Sequence, residues 1–162
     1  MNLQDHATLE HERSYADIFD LVKKAVKKVL GLKRSGLLLY IGNLPLQVGA
    51  YHQFGSNGIV LNRRILDLVS RSFTSYVERN SFIFTLLLHE YLHSLGFLDE
   101  EEVDKLVYKI SLETFGEGHL AVQMALNLPT LKILPSDVHD EEIRPRLEFV
   151  EEFDRSEQPY IV

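Results

Sequence analysis

The chain has 162 residues, of which 45% are apolar and 25% charged, and its formal net charge is −7 at pH 7. This length and composition predict one globular domain over residues 1–162, with enough apolar chain to build a hydrophobic core. No apolar run approaches the roughly 20 residues that span a bilayer, so we expect no membrane partner. Because acidic residues are in excess, we do not expect a nucleic-acid partner.

The sequence contains no cysteine, which excludes disulfides and thiolate metal ligands. Any metal ion must therefore be held by histidine, aspartate or glutamate. The N-terminal segment is polar and of mixed charge, unlike a signal or transit peptide. We therefore expect a cytoplasmic protein, and nothing in the composition indicates an oligomeric state.

The N-terminal part of the chain predicts an arm followed by a helix. Residues 1–13 are expected to be mobile. Ser14 and Asp17 have the spacing of a capping box, which predicts a first helix that ends at Gly31. Its polar face belongs to the chain's one basic cluster, which we interpret as a solvated face, with an RNA or anionic-surface footprint as the alternative. The cluster consists of Lys23, Lys24, Lys27, Lys28, Lys33 and Arg34.

A short apolar run at residues 37–41, bounded by glycines, predicts a buried strand. Residues 46–62 then predict a hairpin, because the run from Gly55 to Gly58 is typical of a tight turn. The second strand of this hairpin is expected at Ile59–Asn62. Apolar spacing over residues 63–76 indicates a second helix.

Helical spacing continues in the second half of the chain. It predicts a third helix from about residue 80 to residue 95, a fourth over 100–115 and a short fifth over 119–128. Residues 129–162 form an acidic tail that we expect to be packed or half-packed. Within this tail, residues 140–154 have helical spacing at Ile143, Leu147 and Val150.

The third helix carries the pattern His-Glu-x-x-His at residues 89–93. His89 and His93 are one helical turn apart and point the same way, so two neutral imidazoles can bind one zinc ion. Glu90 between them can reach a metal-bound water and act as the general base of a hydrolase. A charged glutamate on a buried helix is costly unless a cation balances it, which also favours zinc.

The third zinc ligand is predicted to be Asp99. Gly96 can adopt a positive φ and fold the chain back towards the end of the helix, which would bring Asp99 beside the metal. Asp99 can also be the N-cap of the fourth helix, because Asp99 and Glu102 have capping-box spacing. One carboxylate oxygen could cap the helix while the other binds metal. Glu113, Glu102 and His119 remain alternative third ligands.

The pattern His89-Glu90-x-x-His93-x-x-Gly96-x-x-Asp99 resembles the extended zinc signature of metzincin-type metallopeptidases, in the variant with aspartate as third ligand. Residues 47–62 are similar to the strand pair before the active-site helix of zincin peptidases, including minimal archaeal ones. The resemblance implies an α+β zincin-like fold, with a small mixed or antiparallel sheet whose hairpin edge strand packs on the active-site helix. It further implies Zn²⁺ on His89, His93 and Asp99, and Glu90 as general base.

By the same resemblance, the protein is a zinc metallopeptidase that acts on a peptide or protein substrate, which adds to an exposed strand at Ile59–Asn62. Tyr51, His52 and His119 are candidates to stabilise the oxyanion. Metzincins have a methionine turn beneath the metal, whereas the only methionines here are Met1 and Met124. This departure keeps Glu113 open as the ligand.

Two other functions remain open. Residues 89–106 are similar to the metal-binding segment of the bacterial rRNA-maturation endoribonucleases, which carry three metal-binding histidines at the same offsets. In this chain Glu90 replaces the residue at the matching second position, and Asp99 replaces the third histidine. A non-catalytic binding protein with a zincin fold is the other alternative. A further hypothesis places Asp137 or His139 of the tail in the open metal position, which would keep the enzyme latent.

Overall fold

The computed structural model describes residues 9–127 and 147–154. These residues form five helices and four strands, as the sequence-based α+β assignment requires. In chain order the elements are α1 (Tyr15–Leu30), β1 (Leu38–Gly42), β2 (Ala50–His52), β3 (Gly58–Asn62), α2 (Arg63–Ser70), α3 (Tyr76–Ser94), α4 (Glu100–Phe115), α5 (Leu120–Leu126) and β4 (Glu148–Val150).

The four strands form one mixed sheet in the order β2-β3-β1-β4. β2 and β3 are the antiparallel hairpin that the turn residues predict, and Tyr51 lies opposite Val60. β3 is parallel to β1, whereas β4 is antiparallel to β1. β3 is therefore an interior strand, and β2 lies at the edge of the sheet.

The first helix begins and ends as predicted. The Ser14 hydroxyl accepts a hydrogen bond from the Asp17 N–H, and the Asp17 carboxylate accepts one from the Ser14 N–H, each at 3.1 Å. At the other end, Gly31 has a φ of +70°, the left-handed conformation that glycine adopts without strain. These caps satisfy backbone groups that would otherwise lack partners.

The 19-residue α3 is the centre of the core. Nearly every side chain from Asn80 to Leu92 is buried, because α1, α4, α5 and the sheet surround the helix. Phe19 of α1 and Tyr91 of α3 pack edge to face, with ring centroids 5.4 Å apart. The helix that carries the His-Glu-x-x-His pattern is thus held on all sides but one.

Residues 9–13 differ from the predicted mobile arm. Leu9 is buried in the core, and its carbonyl accepts a hydrogen bond of 3.1 Å from the Asn80 side chain. The same amide donates to the His11 carbonyl at 2.7 Å. A buried asparagine on α3 therefore fixes this part of the arm. The remainder of the arm lies outside the described residues.

The second helix is shorter than the predicted span of residues 63–76. It ends at Ser70, and a new helix begins at Tyr76 because the Ser75 side chain accepts the N–H of Glu78 as an N-cap. The third helix consequently begins four residues earlier than the expected residue 80. Apolar spacing runs through both helices and does not reveal the break between them.

The described end of the tail is packed, as expected, but it is not helical where the spacing suggested a helix. Glu148–Val150 forms β4, because it pairs with the otherwise free edge of β1. Phe153 is buried and stacks on Phe19, with ring centroids 4.2 Å apart. The predicted helical residue Ile143 lies outside the described residues, as do Asp137 and His139 of the latency hypothesis.

Asp154 binds the tail to the rest of the fold. Its carboxylate accepts hydrogen bonds from Lys23 Nζ at 2.6 Å, from the Gly36 N–H at 2.9 Å and from the Leu37 N–H at 3.2 Å. The Asp154 side chain is 2% exposed and that of Lys23 10% exposed. This is a buried ion pair with additional backbone donors, the arrangement in which loss of one partner is most costly.

None of the helices within residues 9–127 combines the length and the apolar character needed to cross a membrane.

Replacing Asp154 with Asn should destabilise the protein by about 3 kcal/mol, because the change leaves the buried Lys23 ammonium without its main counter-charge. Urea denaturation followed by circular dichroism measures this free energy of unfolding. Glu148→Gln is the matched control: it removes the exposed ion pair with Arg63, for which we expect less than about 1 kcal/mol. Equal losses in the two variants would contradict a specific role for Asp154.

Candidate metal centre

His89 and His93 lie in the last two turns of α3, at its one accessible side. Their rings are half-buried, with centroids 4.8 Å apart, and their Nε2 atoms approach to 3.2 Å. Zinc bound at 2.0–2.1 Å to two imidazoles in a tetrahedron requires an N···N distance of about 3.3 Å. The two rings are therefore already spaced as a shared metal ion requires.

The turn after α3 determines which carboxylate joins them. Gly96 has a φ of +106°, the positive value that the sequence predicts there. The Gly96 N–H donates to the His93 carbonyl at 3.0 Å, and the Phe97 N–H to the Leu92 carbonyl at 3.2 Å. This tight C-terminal cap reverses the chain within a few residues and brings the first turn of α4 beside the imidazoles.

The carboxylate that this turn delivers belongs to Glu100 and not to the predicted Asp99. Glu100 Oε2 lies 2.9 Å from His89 Nε2, and Glu100 Oε1 lies 2.8 Å from His93 Nε2. His89, His93 and Glu100 form the one group within residues 9–127 and 147–154 whose ligand atoms could hold a metal, all within 4.8 Å of one another.

Asp99 has the alternative role that its spacing allowed. Its carboxylate accepts a hydrogen bond of 3.1 Å from the Glu101 N–H and caps α4. The next residue, Glu100, contacts the two histidines. Glu102 and Glu113 are exposed on α4 and lie outside the His89, His93 and Glu100 group.

The tautomer of His93 is fixed by what its Nδ1 atom contacts. His93 Nδ1 lies 2.7 Å from the Phe97 carbonyl, which can only accept, so Nδ1 carries a proton. His89 has a carboxylate at each ring nitrogen: Asp104 lies 3.5 Å from Nδ1, and Glu100 Oε2 lies 2.9 Å from Nε2. Metal-binding histidines are held in this way, because the proton on Nδ1 leaves the Nε2 lone pair for the ion.

The protonation of the centre also favours a metal. Burial lowers the pKa of His89, although the Glu100 carboxylate raises it, so the neutral ring that binds metals is favoured. Two imidazole Nε2 atoms and a carboxylate converge at distances of 2.8 to 3.2 Å. Imidazole nitrogens and carboxylate oxygens can all serve as acceptors, so a metal ion placed among them would find three ligand atoms.

Glu90 lies on the same helix but is far more buried, with 6% of its surface exposed. Burial, and then the negative charge of Glu100, raise the pKa of Glu90 to about 8, while a hydrogen bond from the backbone of His52 opposes the change. A cation held by the adjacent imidazoles would favour the ionised form. Glu90 therefore connects α3 to the edge strand β2.

Glu90 and the three candidate ligands line one open cleft of about 310 Å³. The opposite wall comes from residues 47–54, which include β2 and the start of the hairpin turn. The sequence resemblance assigns the exposed strand to Ile59–Asn62, but these residues form the buried interior strand β3. The free edge beside the cleft belongs to β2.

Two of the three oxyanion candidates lie in the cleft. Tyr51 and His52 line it, and His52 Nδ1 contacts the Gly58 carbonyl at 2.9 Å. His119 does not line it: its Nδ1 accepts the Ala121 N–H at 3.0 Å to cap α5, and its ring stacks on Phe115. Histidine is not among the residues that usually cap helices, so the sequence did not indicate this role.

No protein-family model matches the chain, and comparisons with curated proteins and with solved structures find no match. The resemblance to zincin peptidases therefore stays a prediction from the motif.

Glu100→Ala should lower the affinity for zinc more than about 100-fold, since even residues that only orient ligands account for 10–100-fold. Asp99→Ala should retain the affinity and lose about 1 kcal/mol of stability as an N-cap. Competition with a chromogenic chelator measures the first quantity, and thermal unfolding the second. The assignment fails if Asp99→Ala, or the exposed control Glu113→Ala, loses zinc while Glu100→Ala keeps it.

Proposed function

We propose that the protein is a zinc-dependent hydrolase of peptide bonds, with His89, His93 and Glu100 as metal ligands and Glu90 as general base. The observation that carries the proposal is the convergence of two imidazole Nε2 atoms and one carboxylate in a cleft that also contains a buried glutamate. Two histidines and one glutamate are a ligand set of catalytic zinc that leaves a position open for water. The zincin-like fold is part of the same proposal.

Zinc in this site would lower the pKa of a coordinated water towards about 7 and polarise the substrate carbonyl. Glu90 would accept a proton from the water whose oxygen attacks the substrate carbonyl carbon. When the carbon–nitrogen bond breaks, Glu90 would give that proton to the leaving amine. Glu90 and His52 line the same cleft, on α3 and on β2.

The cleft suits a peptide better than RNA. Its lining in the described part of the chain contains no lysine or arginine, whereas RNA-binding sites contact phosphates with such residues. The lining instead includes three large apolar side chains that are substantially exposed, a composition typical of a surface that binds another molecule. They are Tyr51, Phe54 and Leu98, which are 39%, 73% and 59% exposed.

The edge strand adds a second argument for a peptide. Among the residues that the structure describes, β2 pairs only with β3, and residues of β2 line the cleft. An extended peptide can add to such a free edge through main-chain hydrogen bonds. Its scissile carbonyl would then lie between β2 and the ligands on α3 and α4. The RNA alternative and the non-catalytic alternative have no observation of comparable weight.

Glu90→Gln should keep zinc bound and lose at least about 100-fold in kcat towards a casein or quenched fluorescent peptide substrate, because the amide cannot accept the proton from water. Zinc content by mass spectrometry and initial rates measure the two effects. Glu113→Gln is the control that makes the same change on an exposed face of α4. Full activity in Glu90→Gln would remove the base assignment, and cleavage of structured RNA but no peptide would favour the endoribonuclease.

A further inference from the structure

Arg34 lies in the segment between α1 and β1, next to both walls of the cleft. Its backbone N–H donates to the Tyr91 hydroxyl at 2.9 Å, and that hydroxyl donates to the Arg34 carbonyl at 3.4 Å. Tyr91 is fully buried and stands between Glu90 and His93 in the metal-binding helix. The backbone of Arg34 is therefore fixed to the middle of the His-Glu-x-x-His pattern.

The guanidinium of Arg34 connects the helix to the hairpin. Nη1 donates to the carbonyl of Ser94, the last residue of α3, at 2.7 Å. Nη2 donates to the Ser56 carbonyl and to the Asn57 side-chain oxygen, each at 2.9 Å. Ser56 and Asn57 form the turn between β2 and β3, so one side chain holds the end of α3 and the tip of the hairpin together.

This connection determines the position of β2. The strand is only three residues long and has a neighbouring strand on one side. The strand packs against α3, and His52 and Glu90 line the same cleft. Because the hairpin tip begins two residues beyond His52, a shift at the tip changes the distance between the strand and Glu90.

A planar guanidinium is needed for this geometry. It presents several N–H donors in a fixed fork, so it can serve acceptors on two elements at once. A lysine ammonium in the same place is a single point charge on a flexible chain. A positive group is also favourable at the C-terminal end of α3, where the last carbonyls lack helical partners.

We infer that Arg34 is a positioning residue of the active site, which fixes the edge strand β2 at its working distance from Glu90. The inference rests on the proposed hydrolase function for its kinetic consequence. Arg34 does not contact His89, His93 or Glu100 in any of its hydrogen bonds, so its role concerns the substrate wall and not the metal.

The test compares Arg34→Ala and Arg34→Lys with the wild type as zinc-loaded, full-length proteins. Both variants should lose at least about tenfold in kcat on a quenched fluorescent peptide while zinc affinity stays within about twofold. Millimolar methylguanidinium should restore part of the kcat of Arg34→Ala, because the half-buried position is accessible. Unchanged kcat, or a loss of zinc affinity equal to the loss of kcat, would overturn the inference.

Arg79 provides the matched control. It lies on the opposite end of the same helix, where it donates to the Arg13 carbonyl at 3.3 Å and packs over the Tyr15 ring. Arg79→Ala removes an equivalent bridging arginine without touching the cleft, so its kcat should stay within about twofold of wild type. An equal fall in kcat for Arg79→Ala and Arg34→Ala at equal loss of thermal stability would also overturn the inference.

Two further measurements keep the test independent of folding and of the proposed function. Asn57→Ala removes one exposed acceptor of the guanidinium, so its kcat should fall by less than the tenfold expected for Arg34→Ala. This result supports the role of Arg34 even if Arg34→Ala does not fold. Hydrogen exchange at residues 50–57 should be faster in Arg34→Ala and unchanged in Arg79→Ala. If zinc-loaded wild type cleaves no peptide, the proposed function fails, while unchanged exchange at residues 50–57 would separately reject the role of Arg34.

Discussion

The contact of the Glu100 carboxylate with two imidazole Nε2 atoms brings three possible ligand atoms together, and much of the molecule serves to maintain that contact. α3 supplies the histidines because its other faces are buried, and the Gly96 turn supplies Glu100 because it reverses the chain so tightly. The Phe97 carbonyl and the Asp104 carboxylate orient the rings from behind. Ligand side chains held by such partners need little rearrangement to accept an ion.

The sequence predicted the parts of the structure that depend on local signals. The Ser14 cap, the Gly31 stop, the turn at Gly55–Gly58 and the positive φ at Gly96 are single-residue preferences, and each appears where expected. The helix boundary near Ser75 was missed because apolar spacing continues across it. The strand at Glu148–Val150 was missed for another reason: it depends on the free edge of β1, which is far away in sequence.

The third ligand shows the same division between local and non-local information. The sequence indicated that a carboxylate follows the glycine turn, but one residue of register decides which carboxylate faces the histidines. The Asp99 carboxylate accepts the N–H of Glu101 and caps α4, a role in which aspartate is common. Glu100, the next residue, contacts the two histidines. Motif spacing did not suggest Glu100 as a ligand.

β1 and β2 differ in how their outer sides are covered. The outer side of β1 pairs with β4, and Asp154 contacts the residues just before β1, whereas no strand within residues 9–127 and 147–154 pairs with the outer side of β2, which lies beside the cleft. Natural sheets normally protect their edges, so an open edge beside a candidate metal site is informative. The contrast separates a structural edge from one that is available to a ligand.

The closure of β1 by residues 148–154 has a consequence for biosynthesis. A ribosome that has translated the chain only as far as α5 holds a polypeptide whose β1 has an unpaired row of peptide groups and whose Phe19 ring lacks its stacking partner. Such an edge is prone to pair with other chains. The nascent chain therefore exposes this edge until residues 148–154 have emerged from the exit tunnel. We expect its need for chaperones to be greatest in that interval.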